Sequence, residues 1–175
     1  MSSHRAMIEA GPGIVRRLCC GTEVFADTAV SAAALAGIDD PVALVDGRPV
    51  AVESLWRSML QSLCCGSSAG VTVVHPSWWP PTRVGLVSAA AQALVSNPND
   101  VVARPRSWLL GRASSDLAAD ENVIVEIGER LVAVVGAGIQ AVPRRPEPAQ
   151  VAKGVADVIA SMTRGTPPVV LIEMG

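Results

Sequence analysis

Two short apolar runs separated by a glycine-rich turn open the chain. The runs RAMIEA and IVRRLCC lie on either side of Gly11–Gly13, which predicts a β-hairpin from Arg5 to Cys20. The runs PVALV and RPVAV lie on either side of Asp46-Gly47, a dipeptide suited to hairpin turns with positive φ. The hydrophobic pattern therefore predicts two hairpins before residue 53.

Longer stretches have the spacing of amphipathic helices. In Glu53–Leu63, leucine and methionine recur along one stripe. Two further helices are predicted at Thr82–Val95 and at Pro148–Arg164, the second with proline in its first turn. The run TAVSAAALAGI stays open between a strand and a short helix, because alanine lacks the bulk that favours a pleated surface.

The remaining apolar runs have the length and the valine content of strands. Ala69–Pro76 is unbroken, as in a strand buried on both faces, whereas Val101–Leu110 begins as a strand and bends at Pro105. Four more strands are predicted in the rest of the chain, at Val123–Ile127, Arg130–Val135, Gly138–Val142 and Pro168–Glu173.

The stretch GRASSDLAADE is small, polar and acidic, and it has no periodicity. We therefore predict a first lobe at residues 1–113, a linker at 114–121 and a second lobe at 122–175. Each half contains hairpin strands, then a helix, then a strand. A strand that ends in Glu-x-Gly opens both halves, at Glu9 and Glu126, and recurs at Glu173. This repetition indicates an internal duplication.

Composition and charge exclude some functions. Half of the 175 residues are hydrophobic but only 3% are aromatic, which is typical of a globular core built from Ala, Val and Leu. The net charge of -2 offers no general attraction for nucleic acid. A basic patch could form only around Trp108, from Arg104, Arg106 and Arg112, or at Arg144-Arg145, where a solvated loop is an equal explanation. We expect no nucleic-acid partner.

The four cysteines occur as adjacent pairs, Cys19-Cys20 and Cys64-Cys65, without the spacing of a zinc finger or a C-x-x-C redox motif. We therefore expect them to pack as small apolar residues, and we predict no metal site. No cleavable leader and no apolar run of about 18 residues is visible. These features predict a cytoplasmic protein without a membrane segment.

Several stretches resemble the actin and heat-shock-chaperone ATPase superfamily, whose lobes have a ribonuclease H-like fold. MIEAGPGIVRR is similar to its first phosphate loop and NVIVEIGERLVAVV to its second. The chaperones' strand, loop and Arg-led helix are similar to VTVVHPSWWPPTRVGLVSAAAQAL. Their NEPTAAA segment falls at VVARPRSWLLG. The strand before their adenosine loop resembles GTPPVVLIEMG. The resemblance implies an α/β fold of two ribonuclease H-like lobes with mixed sheets and helices, shortened and without the insertion subdomains.

In that superfamily, acids at strand ends organise a metal ion, and turn amides hold the phosphates of a nucleotide between the lobes. The resemblance carries these roles to five residues, Glu9, Gly11, Gly13, Glu126 and Gly128. However, Pro12 lacks an N–H donor, Glu129 and Arg130 replace glycines, and Arg104 stands at the position of the catalytic Glu. We therefore expect degenerate nucleotide loops, no catalytic residue and no resident cofactor, with bound ATP and Mg as the alternative.

IEAGPG and HPSWWP further resemble actinobacterial proteins associated with type VII secretion. That resemblance implies a non-catalytic interaction or scaffold module whose partner is a protein, such as a secretion component. The alternatives are a nucleotide-binding ATPase or switch of the same superfamily, and a small α/β domain without two matching halves.

The loop SWWPP and the histidines complete the set of candidate residues. Trp78 and Trp79 are predicted either to contact a partner or to pack within their own loop. His75 is expected to be a hydrogen-bonded strand end, because the sequence has no hydrolase elbow and no obvious ligand partners for it.

Overall fold

The computed structural model describes residues 4–65, 68–113, 122–145, 147–163 and 169–174. The chain divides into two compact units. The first is Met1–His75 with Trp79–Arg104, and the second is Pro76–Trp78 with Pro105–Gly175. The predicted linker at residues 114–121 lies outside the described residues.

The first unit begins with the predicted hairpin, formed by β1 (His4–Gly11) and β2 (Ile14–Arg17), and continues into β3 (Val24–Phe25). The second strand was predicted to reach Cys20, but it ends at Arg17. Positive φ angles of 69° at both Cys20 and Gly21 turn the backbone out of the extended conformation.

The ambiguous run TAVSAAALAGI is a helix, α1 (Thr28–Ala36). Asp27 precedes it, and its Oδ1 accepts hydrogen bonds from the backbone N–H groups of Ala29 and Val30 at 2.9 and 3.0 Å. This N-cap satisfies two of the donors that a helix start leaves without partners, which favours the helix over a strand.

The predicted hairpin around Asp46-Gly47 is confirmed as β4 (Val42–Val45) and β5 (Arg48–Ala51). Both turn residues have positive φ, 50° and 74°, as hairpin turns of this kind require. The remaining elements of this unit are α2 (Val52–Leu63), β6 (Ser68–His75), α3 (Pro81–Gln92), a single 3-10 turn (Pro98–Asp100) and β7 (Val101–Pro105).

Among the described residues, five strands of the first unit form a sheet with the order β3-β2-β1-β6-β7, and β4 and β5 form a separate two-stranded sheet. β1 pairs antiparallel with β2 and parallel with β6, and β2 pairs antiparallel with β3. The apolar face of α2 packs on this sheet. The largest fully buried apolar side chains of the unit are Trp56, Ile8, Leu60, Leu63, Val15 and Val52.

The second unit contains a helix that the hydrophobic pattern did not predict. α4 (Arg106–Ala113) begins directly after β7, where the sequence was interpreted as a bent strand. Pro105 has no N–H for a strand ladder, and the arginines, leucines and alanine that follow favour a helix. The remaining elements are β8 (Asn122–Ile127), β9 (Leu131–Val135), β10 (Ile139–Pro143), α5 (Pro148–Met162) and β11 (Val169–Met174).

Among the described residues, the sheet of the second unit has the order β10-β9-β8-β11. β8 pairs antiparallel with β9 and parallel with β11, and β9 pairs antiparallel with β10. Each unit therefore places its first strand between an antiparallel neighbour and a parallel one. This common order agrees with the prediction of two matching halves.

The helices are short. The longest in the described part of the chain, α5, has 15 residues, whereas about 20 are needed to cross a bilayer. Within that part, no helix combines the length and the apolar character of a membrane span.

Candidate functional site

The acid before the first predicted nucleotide turn is buried and paired. Glu9 lies near the end of β1, is 2% exposed, and accepts a hydrogen bond from Arg16 Nε at 2.6 Å. Arg16 is its cross-strand neighbour in β2 and also pairs with Glu23 at 2.9 Å. The carboxyl group of Glu9 therefore does not face solvent, and an arginine on the neighbouring strand is one of its donors.

The first turn itself has the conformation that glycine allows. Gly13 has a φ of 77°, a backbone conformation that residues other than glycine adopt only with strain. Between the two glycines, Pro12 offers no N–H to an anion. The turn therefore has no backbone N–H donor at its centre.

The acid before the second turn is held by a loop from elsewhere in the sequence. Glu126 is 1% exposed, and one carboxyl oxygen accepts from the Ser77 backbone N–H at 3.0 Å. Its other oxygen accepts from Ser77 Oγ. Ser77 Oγ also lies 2.8 Å from Ser107 Oγ and accepts from the Ser107 N–H at 3.2 Å. Both oxygens of Glu126 are thus satisfied by donors of the protein.

The second turn is covered by an indole ring. A Cβ added at Gly128 would lie 2.9 Å from a ring carbon of Trp78, so only glycine fits beneath this side chain. The Gly128 N–H donates to the Leu131 carbonyl at 2.9 Å, and its own carbonyl accepts from Arg144 Nη1 at 3.1 Å. Both backbone groups of Gly128 have protein partners.

The second tryptophan of the loop packs within the first unit. Trp79 meets Trp56 edge-on, with 6.2 Å between ring centroids and 86° between planes. It also stacks on His75 at 6.2 Å and 9°. Trp78 and Trp79 are both half-buried, so local packing describes each ring, and a role in partner contact stays a prediction.

Two other sets of predicted residues provide less evidence for a functional site. The side chain of Glu173 lies outside the described part of the structure. The candidate basic patch is reduced, because Arg106 is only 5% exposed and Arg112 places its guanidinium 5.3 Å from the ring centroid of Trp108.

A further cluster was missed by the sequence analysis. His4 Nε2 and the Sγ atoms of Cys19, Cys20 and Cys65 all lie within 4.8 Å of one another. The expectation that the cysteines pack as buried apolar residues is wrong for Cys20, which is exposed. The parallel pairing of β1 with β6 brings His4, the first residue of β1, and Cys65, which precedes β6, to the same end of the sheet. The spacing of residues within a local motif does not predict such a contact.

The environment of this cluster changes the acidity of its thiols. Burial opposes ionisation of Cys19, but hydrogen bonds from the Met7 N–H and from Cys65, His4 and Cys20 outweigh it and lower the pKa of Cys19 to about 7. Burial, together with the neighbouring thiols, raises the pKa of Cys65 to about 12. The cluster therefore favours one thiolate at Cys19 near neutral pH.

Comparison with known proteins shows a fold but no family. No family model matches the sequence, and no curated protein matches it. Among solved structures, the chain is similar to a non-polymerising mutant of MamK bound to AMPPNP, with a TM-score of 0.54 and 11% identity over 95% of this chain and 68% of that chain. MamK is an actin-like ATPase, and at this identity the likeness supports an actin-like α/β fold alone.

Proposed function

We propose that this chain is a non-catalytic protein-interaction or scaffold module of the actin-like superfamily, built from two ribonuclease H-like units. The observation that carries the proposal is the second turn, where Trp78 lies on Gly128 and Ser77 occupies both carboxyl oxygens of Glu126. The resemblance implies a phosphate beside such a turn, and here an indole fills that place.

The ribonuclease H-like assignment is supported by strand order. In each unit an antiparallel meander of three strands is followed by a strand that pairs parallel with the first one. The likeness to MamK over 95% of this chain agrees with such an arrangement.

In this proposal, the chain does not hydrolyse ATP because several of its residues differ from the pattern of the ATPase superfamily. Glu9 is engaged by Arg16, and Pro12 offers no N–H. Glu129 would place a negative charge near the phosphates, and like charges about 4 Å apart cost on the order of 1–4 kcal/mol. Because hydrolysis needs simultaneous stabilisation of the charges that develop in the transition state, these losses compound.

A role in protein interaction is supported by the outer face of the β4–β5 hairpin. Val42 pairs with Ala51 and Leu44 pairs with Pro49, so all four side chains share one face. All four are exposed, Leu44 by 67%, whereas Ala43 on the opposite face is buried. A contiguous exposed apolar surface of this kind is typical of protein contacts. A cytoplasmic setting in type VII secretion rests on the resemblance of IEAGPG and HPSWWP.

A second candidate function is a nucleotide-dependent switch. It is favoured by one observation, that the similar MamK structure is bound to AMPPNP. Such a switch would require only binding of nucleotide, with the turns of this chain opening to admit it.

Thermal unfolding with nucleotide separates the two candidates. We expect no change in Tm with millimolar ATP, ADP or GTP in the presence of Mg²⁺. A ligand at 100 times its Kd stabilises by about 2.7 kcal/mol, which would raise the Tm of a chain of this size by about 5–10 °C. The measurement is differential scanning fluorimetry with Mg²⁺ alone as the reference.

A matched variant identifies the cause of a negative result. E129G/R130G restores the glycines that the resemblance implies in the second turn. A nucleotide-dependent rise in Tm of the unaltered protein would overturn the proposal of a scaffold that works without nucleotide, in favour of the switch. A rise seen only in E129G/R130G would attribute the loss of binding to these two side chains.

The hairpin surface is tested by a charge substitution. We expect Leu44→Glu to reduce co-purification of the bound protein partner at least about tenfold, since a buried charge at an apolar contact costs several kcal/mol. Because Leu44 is 67% exposed, stability should change by less than about 0.5 kcal/mol. The measurement is quantitative mass spectrometry of proteins that co-purify from the cells that express the chain.

Phe25→Glu is the control for this experiment, because Phe25 is also exposed (49%) but lies on β3, away from the hairpin. Equal recovery of partners with Leu44→Glu and with the unaltered protein would remove the hairpin from the interaction surface.

A further inference from the structure

Histidine and cysteine side chains from three separate segments of the first unit form one cluster. His4 is the first residue of β1, Cys19 and Cys20 follow β2, and Cys65 follows α2. The Leu18 N–H donates to the Met7 carbonyl at 2.8 Å, which keeps the end of the hairpin beside the start of β1. The cluster is therefore placed by the sheet.

Adjacent residues in an extended strand point to opposite faces, so Cys19 and Cys20 could not share a site in a continuing β2. The left-handed conformation of Cys20, with φ 69°, breaks this alternation. Both Sγ atoms consequently lie 3.3 Å from the Sγ atom of Cys65.

The distances suit a tetrahedral metal ion. Cys20 Sγ lies 3.1 Å from His4 Nε2, and all four atoms are within 4.8 Å of one another. Bonds of about 2.3 Å to sulfur and about 2.0 Å to nitrogen place the ligands of a tetrahedral zinc ion roughly 3.4–3.8 Å apart. The ligand atoms of this cluster span that range, and small side-chain movements would equalise their separations.

The donor set selects the ion. Three thiols and one imidazole suit Zn²⁺, whereas Mg²⁺ and Ca²⁺ require oxygen ligands, which this set does not contain. We propose that His4, Cys19, Cys20 and Cys65 form a Cys3His site that binds one zinc ion and joins the start of β1, the end of the β1–β2 hairpin and the connection from α2 to β6.

Two features outside the four ligands agree with a metal site. The backbone N–H of Met7 points at Cys19 Sγ at 3.4 Å, the kind of outer hydrogen bond that orients a metal thiolate. Cys20 is exposed, and Cys65 lines an open cleft of about 410 Å³, so an ion can reach the site from solvent.

A disulfide explains the cluster less completely. Cys65 could form a bond with either Cys19 or Cys20, each at 3.3 Å, and either bond would leave one thiol and the imidazole unused. A sulfur–sulfur bond of about 2.0 Å would also require these atoms to approach by more than 1 Å. A tetrahedral ion uses all four groups at once.

The proposal is tested on the whole chain, purified without a histidine tag and in the presence of a non-thiol reductant. Elemental analysis should find one zinc per chain, and replacement by Co²⁺ should give the intense visible bands and thiolate charge-transfer bands of tetrahedral cobalt. A zinc chelator should lower the Tm by at least about 5 °C, because an ion that binds only the folded state stabilises it.

Cys64 provides the matched control, since it is half-buried against the apolar core and is not a member of the cluster. We expect Cys64→Ala to keep its zinc, and Cys20→Ser and Cys65→Ser to bind it at least tenfold more weakly. Cys20 is exposed, so Cys20→Ser tests the ligand even where Cys65→Ser fails to fold.

Three results would overturn the zinc assignment. The first is less than a tenth of an equivalent of zinc in the reduced protein, and the second is equal zinc affinity in Cys64→Ala and Cys20→Ser. The third is binding of Cu(I) with no binding of Zn²⁺. Recovery of a disulfide at Cys65 together with the first result would identify a redox pair in place of a metal site.

Discussion

Replacing Trp56 with alanine should lower the free energy of unfolding by about 3–5 kcal/mol, the range for truncating a large aromatic side chain in a core. Trp56 lies on α2, is 0% exposed, and meets Trp79 edge-on at 6.2 Å. Its aromatic neighbour Trp79 is itself stacked on His75, so we expect that ring to fill little of the cavity. Urea denaturation followed by far-ultraviolet circular dichroism measures the change.

Phenylalanine at the same position should cost less than half as much. Within the described part of the structure, the Trp56 Nε1–H is buried without a hydrogen-bond partner, and phenylalanine removes this unsatisfied donor while it keeps most of the ring. Ser58→Ala, on the exposed face of the same helix, is the control and should change stability by less than about 0.5 kcal/mol. A loss below 1 kcal/mol for Trp56→Ala would show that this core does not depend on its largest side chain.

Replacing Glu126 with alanine should cost about 2–4 kcal/mol, because the Ser77 N–H would lose its acceptor in a buried place and the Ser77 hydroxyl would keep only Ser107 Oγ. Glu126→Gln keeps one acceptor oxygen and should cost about 1–2 kcal/mol. Glu129→Ala, at an exposed position three residues along the chain, should have almost no effect. The same urea titration gives all three values.

This experiment also distinguishes a structural from a catalytic acid. Residues that are held for catalysis commonly reduce stability, so their removal leaves stability unchanged or increases it. A more stable Glu126→Ala would therefore contradict the structural role of this carboxyl group and strengthen the case for a nucleotide site. A less stable variant agrees with the hydrogen bonds from Ser77.

The elements that could be predicted are those whose cause is local. The hairpin at Asp46-Gly47 needs only two residues that tolerate positive φ between apolar runs, and α2 needs only a periodic stripe. α1 was undecided because its alanines fit both patterns, and the deciding feature was the cap at Asp27. α4 was missed because Val101–Leu110 was interpreted as one element, although it contains a strand and a helix.

The candidate site was predictable only in part, for a related reason. The acids Glu9 and Glu126 were identified from their places at strand ends, and both are buried there. Their partners were not identified, because Ser77 is 49 residues from Glu126 and no local pattern connects them. The Cys3His cluster was missed for the same reason, since Cys65 is 45 residues from Cys20 and meets it only through the pairing of β1 with β6.

The tripeptide Pro76–Trp78 affects how the chain can be divided into fragments. It lies between β6 and α3 in the sequence, but it belongs to the second unit, to which it contributes the Ser77 donors and the indole over Gly128. A single cleavage after Arg104 would release a fragment without these groups. During synthesis on the ribosome, Ser77 emerges well before Glu126. The second unit can therefore complete its core only when its later residues pack against a segment that was synthesised earlier.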